Sequence, residues 1–293
     1  MDTPDLTAFV QVAEARSFSI AATALHLTQS AVSRRIAALE RELGTRLFDR
    51  VGRSVTLTEA GATLLPRARR ILREIDDSRI LLRNLSGDVG GSLLLGTSHH
   101  IGLHRLPGVL RAFSDRHPEV ALELQFLDSE AAHDLLLQGQ IELAVVTLPP
   151  ATLPPLASRT IWSDPLVFAV APDHPLAQQP RPELAELGAH RAVLPGSGTY
   201  TGRIVTAMFA SAGIDLDATM STNYLETIRM MAGIGLGWTV LPATMLDERL
   251  VRIEPRGAPA MERQLGWLRH PNRTASNAAS AFLEILEAHA DQP

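Results

Sequence analysis

A short polar stretch at the start of one predicted helix carries side chains that suit contacts with DNA bases. Thr28 is a good N-cap residue. The face that follows it begins with short polar residues and an arginine: Gln29, Ser30, Ser33 and Arg34. The opposite face has apolar residues at helical spacing, which predicts that it packs on a core: Val32, Ile36 and Leu39. Side chains of this kind at the N-terminal end of a helix suit entry into the major groove.

A second predicted helix comes just before this one, and the two together predict a helix-turn-helix over residues 19–42. Ser19 is the expected N-cap of the first helix, which His26 and Leu27 end. Helix-turn-helix patterns are short, so the alternative is an ordinary amphipathic helix pair with a solvated polar face.

A small hairpin is predicted directly after the recognition helix, which Gly44 ends. The turn 52–54 separates two short apolar runs, and Arg50 and Arg53 lie near its tip. Arginines on such a wing reach the phosphate backbone or the minor groove of DNA. The alternative is an exposed hairpin whose arginines are only solvated.

Composition separates the chain into a basic head and an acidic body. Residues 1–73 hold 11 arginines and 7 acidic residues, a balance of +4, and the whole chain carries −5, so residues 74–293 carry −9. This split favours a nucleic-acid-binding head with a different task for the body.

At 293 residues the chain is long enough for about two domains, and it has no cysteine, which excludes disulfides and thiolate chemistry. No apolar run is long enough to span a bilayer and the first residues are unlike a signal peptide, so we expect a cytoplasmic location and no membrane partner.

Helical periodicity predicts a first helix over residues 3–16 and a long helix from Thr58 to about Leu85, followed by a glycine-rich hinge at 87–91. Small or apolar residues recur along the long helix in steps of four and three, which is typical of a coiled-coil seam, and Pro66 is a candidate kink. We therefore expect this helix to be a dimerisation arm.

The remainder alternates between predicted strands and helices, which favours an α/β fold with mainly parallel sheets. The expected strands are Leu93–Gly96, Val120–Leu127, Leu143–Val146, Leu166–Ala171, Arg191–Leu194, Thr239–Leu241 and Leu265–Leu268. The expected helices are Leu103–Arg116, Glu130–Gln138, Gly202–Ala212, Leu225–Ala232 and Ala275–His289.

Several motifs together resemble the LysR-type transcriptional regulators. In the head they are Leu6-x-x-Phe9, Ser17-Phe18-Ser19-x-Ala21-Ala22, Leu27-Thr28-Gln29-Ser30-Ala31-Val32-Ser33, Ile36-x-x-Leu39-Glu40, Leu43-Gly44-x-x-Leu47-Phe48-x-Arg50 and Leu57-Thr58-x-Ala60-Gly61. In the body they are His117-Pro118, Pro172-Asp173-His174-Pro175-Leu176 and Gly233-Ile234-Gly235-Leu236-Gly237-x-x-x-Leu241-Pro242. The chain departs from the family pattern at Asp128-Ser129-Glu130, where an acid followed by glycine is usual, and at Ile141-Glu142 in place of Leu-Asp.

The resemblance implies an architecture and a set of partners. The expected parts are a winged helix-turn-helix DNA-binding domain (1–58), a linker helix with hinge (59–91) and an effector-binding domain (92–293) of periplasmic-binding-protein type. The effector domain is expected to have two α/β subdomains, about 92–162 with 268–293, and about 163–267. The chain is expected to cross between them near 147–162 and 262–267. Implied partners are double-stranded DNA with an interrupted inverted repeat, a homodimer or homotetramer, a small effector and RNA polymerase.

The effector is expected between the subdomains, where two helices begin after Ser98-His99-His100 and after Tyr200-Thr201. Free backbone N–H groups and hydroxyls at a helix start favour anions. The candidate ligand residues are Ser98, His99, His100, Thr147, Trp162 and Thr201. The spacing of all of them except His99 is similar to that of the ligand-site positions in the sulfur-assimilation regulators of the same family. That similarity implies a small anionic metabolite. His100 would make its affinity depend on pH if it contacts the ligand.

Two other interpretations were weighed. His99, His100 and His104 suggest a metal site, but no acid in the same segment completes a ligand set, so we expect no metal. The body alone resembles a solute-binding protein or an enzyme. No nucleophile paired with a base and no glycine-rich cofactor motif stands out, so we expect no cofactor and no catalysis. A ligand-responsive transcription factor is therefore the predicted function.

Overall fold

A computed structural model describes residues 1–51, 54–85, 87–149, 156–179, 181–214, 216 and 220–290. The chain forms two compact units, Met1–Ser86 and Gly87–Pro293.

The first unit is a bundle of helices with a two-stranded wing. Its elements are α1 (Thr3–Ala15), α2 (Phe18–Ala24), α3 (Gln29–Leu43), β1 (Phe48–Val51), β2 (Ser54–Leu57) and α4 (Glu59–Asn84). Thr28 caps α3 by accepting a hydrogen bond from the Ala31 N–H at 3.2 Å, and Gly44 ends it at φ +66°. The predicted start of α2 was wrong. Ser17, with an extended backbone, is the N-cap, and its hydroxyl accepts the Ile20 N–H, so the helix begins one residue before Ser19.

One apolar core holds this unit together. The largest fully buried side chains of this core are Leu6, Phe9, Ile36, Leu39 and Leu47. The long helix α4 joins this core through its first half, where Ala68 is fully buried. Its second half exposes Leu81, Leu82 and Leu85. The helices and the wing therefore share one core, and apolar side chains remain exposed on the second half of α4.

The second unit, here called the effector unit, alternates strands and helices. Its strands are β3 (Gly91–Thr97), β4 (Val120–Phe126), β5 (Leu143–Thr147), β6 (Ala157–Val170), β7 (Val193–Leu194), β8 (Met220–Ser221), β9 (Thr239–Pro242), β10 (Val251–Ile253) and β11 (Met261–Arg269). Its helices are α5 (His99–His104), α6 (Pro107–Arg116), α7 (Ser129–Gln138), α8 (Leu184–Leu187), α9 (Tyr200–Ser211), α10 (Leu225–Gly233) and α11 (Asn277–Ala288), with short 3₁₀ turns at Pro175–Gln178 and Ala243–Met245. The helix predicted over 103–116 is two helices, since Pro107 starts α6 after a break at Leu106.

The main sheet is mixed rather than mainly parallel. Its order is β10-β6-β11-β5-β3-β4, with β9 also paired to β6. β3 lies parallel to β4 and β5, whereas β11 and β6 run antiparallel to each other and to their other neighbours. β6 begins at Ala157, well before the predicted Leu166, because its polar first half pairs along β11 as far as Arg269.

β6 and β11 run through two lobes, each with its own core. The first lobe contains β3–β5, α5–α7 and α11, and the second contains β7–β10 and α8–α10. Trp162 and Leu265 belong to the core of the first lobe, and Phe168 and Met261 to that of the second. The described helices include none that is both long enough and apolar enough to cross a membrane.

Candidate DNA-binding face and effector cleft

The start of α3 presents the predicted base-reading residues together. Thr28, Gln29, Ser30 and Arg34 are exposed and Ser33 is half-buried. The hydroxyls of Thr28 and Ser30 lie 3.0 Å apart, and the Gln29 Oε1 accepts from the Ser19 hydroxyl at 3.3 Å. Arg34 makes no hydrogen bond or ion pair within the described chain, so its guanidinium is available to an outside acceptor.

The wing follows in register, with Phe48 opposite Leu57 and Arg50 opposite Val55. Arg50 therefore lies on a strand next to the turn, as predicted, although its side chain is not described. Arg53 lies outside the described residues, and its predicted contact with DNA stays a prediction.

In the effector unit, five of the six predicted ligand residues line one cavity between the lobes. They are Ser98, His99, His100, Thr147 and Thr201. The cavity has a volume of about 50 Å³. Pockets for drug-sized ligands are roughly 300–1,000 Å³, so this one has room only for water or a small ion.

Trp162, the sixth residue, does not line the cavity. It is 3% exposed and packs in the core of the first lobe. Its indole N–H donates to the His289 carbonyl at 2.8 Å, which fixes the ring against the end of α11.

The sequence analysis missed a buried ion pair behind the cavity. Asp164 on β6 is fully buried, and its Oδ2 accepts from Arg263 Nε at 2.8 Å. Arg263, on β11, is 5% exposed, lines the cavity, and donates from Nη1 to the Thr201 hydroxyl at 3.2 Å. Arg105 Nη2 approaches the other Asp164 oxygen at 3.4 Å. Two guanidinium groups therefore share one buried carboxylate. The available signal was that Arg263 lies in the second predicted crossover segment and Asp164 lies two residues after the first.

His100 is the unsatisfied group of this cavity. It is 5% exposed, and neither ring nitrogen has a hydrogen-bond partner among the described residues. Asp164 is the nearby acid, but its Oδ2 is 3.7 Å away and already accepts from Arg263. Burial, followed by the charge of Arg263, lowers the pKa of His100 to about 3, so the imidazole is neutral near pH 7. A change in its charge is therefore not expected near neutral pH in the empty cavity.

Polar contacts join the two lobes in and near the cavity. Asp128 accepts from the Asn223 amide at 2.6 Å. His104 Nε2 lies 2.5 Å from Glu226 on α10. Glu130 accepts the backbone N–H of Tyr200 at the start of α9. These contacts hold the lobes in a closed arrangement.

Gly202 allows the start of α9 to pack tightly against the loop that precedes it in the second lobe. A Cβ there would lie 2.1 Å from the Gly196 carbonyl oxygen. Thr199 caps the helix by accepting the Gly202 N–H at 3.0 Å, which leaves the Tyr200 N–H to Glu130.

The three neighbouring histidines have separate environments. His99 is exposed and stacks on Phe126 at 5.0 Å, His100 is buried, and His104 pairs with Glu226. Within the described parts of the chain, no group of three His, Cys, Asp or Glu side chains is arranged to hold a metal ion.

Comparison with known proteins decides what these two regions belong to. Residues 4–62 match the bacterial regulatory helix-turn-helix protein, lysR family, and residues 86–291 match the LysR substrate binding domain. The chain belongs to the LysR family. It is thus a transcriptional regulator with a helix-turn-helix region and an effector-binding region, not an enzyme, and the resemblance found in the sequence is confirmed.

Individual LysR-type relatives match either most of the chain or a part of it. A probable RuBisCO transcriptional regulator of Cyanidioschyzon merolae is 31% identical over 92% of this chain and 92% of its own. An uncharacterized HTH-type regulator of Azotobacter vinelandii, from the ibpB-leuC intergenic region, is 65% identical over 36% of this chain and 74% of its own. Full-length CbnR in complex with its target DNA is 24% identical, with a TM-score of 0.64 over 99% of this chain and 100% of that one, and shares the fold.

Proposed function

We propose that this LysR-type regulator binds a small anion between the lobes of its effector unit, and that binding changes how its oligomer holds DNA. An effector that prefers one arrangement of the lobes shifts the population toward that arrangement. A changed spacing of the DNA-binding units would then alter the bend imposed on the operator.

The proposal that the effector is an anion rests on the hydrogen-bond donors around the cavity. His100 has an unused ring N–H, Ser98, Thr147 and Thr201 bring hydroxyls, and Arg263 brings a guanidinium. The start of α9 adds the positive end of a helix dipole. Such donors suit carboxylates, sulfate and similar anions. The likeness to the sulfur-assimilation regulators makes their small anions candidates as well.

On the DNA side, we assign base contacts to Gln29, Ser30, Ser33 and Arg34. Thr28 positions them as the cap of α3, and Arg50 and Arg53 are assigned to the DNA backbone. The exposed start of α3, with an unpaired Arg34, supports this assignment.

We assign the interface of the oligomer to α4. Leu81, Leu82 and Leu85 are 55%, 67% and 78% exposed on this helix, and such an apolar stripe favours pairing of two chains. We propose a homodimer or homotetramer on an interrupted inverted repeat, with RNA polymerase as a further partner. The proposed parts are the DNA-binding domain 1–58, the linker 59–91, and the effector domain 92–293 with its two subdomains as predicted.

A thermal-shift screen of the full chain tests the anionic effector. The panel contains sulfate, other small oxyanions, and aliphatic and aromatic carboxylates. A ligand that binds the native protein raises the unfolding midpoint. We expect at least one anion to raise it, and we expect Thr147→Ala and Thr201→Ala to remove the shift.

Thr160→Ala is the matched control, because Thr160 is an exposed threonine on β6 that does not line the cavity. It should keep the full shift. If no anion shifts the midpoint, or if the shift survives both cavity variants, the anionic effector in this cleft is wrong.

A further inference from the structure

The position in the cleft that best suits an anion is the N-terminus of α9, and a carboxylate of the same chain already occupies it. α9 runs over 12 residues, and its Tyr200 N–H donates to the Glu130 carboxylate from the opposite lobe. Arg203 Nη2, on the first turn of the same helix, lies 3.8 Å from the same carboxylate. A carboxylate at a helix N-terminus beside a guanidinium is the arrangement that a bound anion would adopt.

The remaining donors of the cavity are not used by Glu130. His100 is buried and has both ring nitrogens unpaired, and it lines the same cavity as Glu130. A neutral imidazole offers one donor and one acceptor, and leaving them unpaired in a buried site costs free energy. The site therefore has a filled position at α9 and an unfilled one at His100.

The positions at α9 and at His100 lie in one small cavity. With a volume of about 50 Å³, it leaves little room for an anion beside the Glu130 side chain, which also lines it. Burial raises the pKa of Glu130, so its ionised form is held at a cost in free energy. Its neighbours are Asp128, Arg203, and the backbone N–H of Tyr200.

We propose that Glu130 is an internal competitor for the effector and a specificity-determining residue of the cleft. An effector anion has to take the place of its carboxylate at the Tyr200 N–H while another of its polar atoms meets His100. Weakly binding anions fail to displace Glu130, and this excludes common small anions from the site. This inference rests on the proposed anionic effector.

The competitor lies in the stretch where the chain departs from the family pattern. An acid followed by glycine is usual where this chain has Asp128-Ser129-Glu130. Asp128 and Glu130 both reach the second lobe, through Asn223 and Tyr200. This stretch therefore provides two contacts between the lobes, and Glu130 is the one that meets the start of a helix.

Calorimetric titration of the full-length protein with sulfate and with acetate tests this directly. Glu130→Gln keeps an oxygen that accepts the Tyr200 N–H but removes the charge. We expect it to bind either anion about tenfold more tightly than the unchanged protein, or tighter still, because the competing carboxylate is gone. Glu123→Gln is the control, since Glu123 is an exposed acid on β4 in the same lobe and its loss should leave both affinities unchanged.

Glu130→Asp is the second variant, and it applies if the amide variant does not fold. It keeps the charge and shortens the reach to Tyr200, so a smaller gain in affinity is expected. Equal or weaker anion binding by the folded Glu130 variants would overturn the competitor role and leave the anionic effector standing. If neither the unchanged protein nor any variant binds sulfate, acetate or another anion of the screening panel, the anionic effector is wrong and the competitor role falls with it.

Discussion

The recognition face of α3 and the effector cleft hold their polar groups in opposite ways. On α3, Arg34 is exposed and makes no contact with a partner inside the described chain. In the cleft, Asp164 and Arg263 are buried and paired, and Glu130 bridges the lobes. A surface that already presents its groups can bind without rearrangement, whereas a closed cleft has to exchange internal contacts for contacts with the ligand. In this chain, the specificity of the cleft therefore depends on which internal contacts the ligand displaces.

The largest expected effect comes from breaking the buried pair behind the cleft. Asp164→Ala leaves the guanidinium of Arg263 buried without its carboxylate, and we expect the effector unit to lose about 3–5 kcal/mol of unfolding free energy. Denaturant unfolding followed by tryptophan fluorescence measures it, because the three tryptophans of the chain, Trp162, Trp238 and Trp267, all lie in this unit.

The control is Asp115→Ala, which removes an exposed acid that lies 3.9 Å from Arg111. An exposed pair of this kind contributes about 0–1 kcal/mol. If Asp164→Ala is as mild as Asp115→Ala, the charges behind the cleft are not held as described.

The next effect concerns the pH dependence of the same unit. The pKa of His100 is about 3 in the folded chain, against 6.5 for an ordinary histidine. Between these two pH values, His100 is protonated in the unfolded chain and neutral in the folded chain. Stability therefore rises with pH from about 3 to 6.5 and is lost on acidification, by at most about 1.4 kcal/mol per pH unit. At pH 5 this amounts to about 2 kcal/mol, and His100→Gln should remove it.

Unfolding curves between pH 7 and pH 5, followed by tryptophan fluorescence, measure this difference. His26→Gln is the control, since His26 is an exposed histidine of the first unit. The same slope in His100→Gln as in the unchanged protein would contradict the buried neutral imidazole.

The sequence could predict the recognition face better than the cleft, for a physical reason. α3 is defined by local signals: Thr28 caps it, Gly44 ends it, and its apolar residues repeat at helical spacing. All of these act within one or two turns of the chain. Ser19 misled the prediction of α2 because Ser17, two residues away, is an equally good cap.

The cleft depends on contacts between distant residues, and these could be predicted only in part. Ser98, Thr147 and Thr201 could be found because they lie at strand ends and helix starts. The pair of Asp164 with Arg263 joins residues 99 positions apart, and the strand was predicted only from Leu166, so the half of β6 that carries Asp164 was missed. The direction of the Trp162 ring depends on His289, 127 positions away, and no local pattern indicates it.

The remaining effect, similar in size to the pH effect, is expected on the recognition face. Arg34→Ala should weaken binding to a specific operator by about 1–3 kcal/mol, because it removes a base contact from a surface that needs no rearrangement. Gel-shift titrations of operator against unrelated DNA at fixed salt measure the specific part of the loss.

Arg41→Ala is the charge-matched control, since Arg41 is exposed near the other end of the same helix. It should change specific and non-specific binding alike. A loss in Arg34→Ala that is equal for operator and unrelated DNA would show that Arg34 contacts only phosphates.

Amide hydrogen exchange of the full chain, with and without the anion that gives the largest thermal shift, tests the contrast between the two regions most directly. We expect changed exchange at the segments that line the cleft, around residues 98–102, 128–132 and 199–203, together with unchanged exchange along 29–43 in the absence of DNA. Changes confined to 29–43, or unchanged exchange at all three cleft segments under saturating anion, would contradict a cleft that exchanges its internal contacts for the ligand.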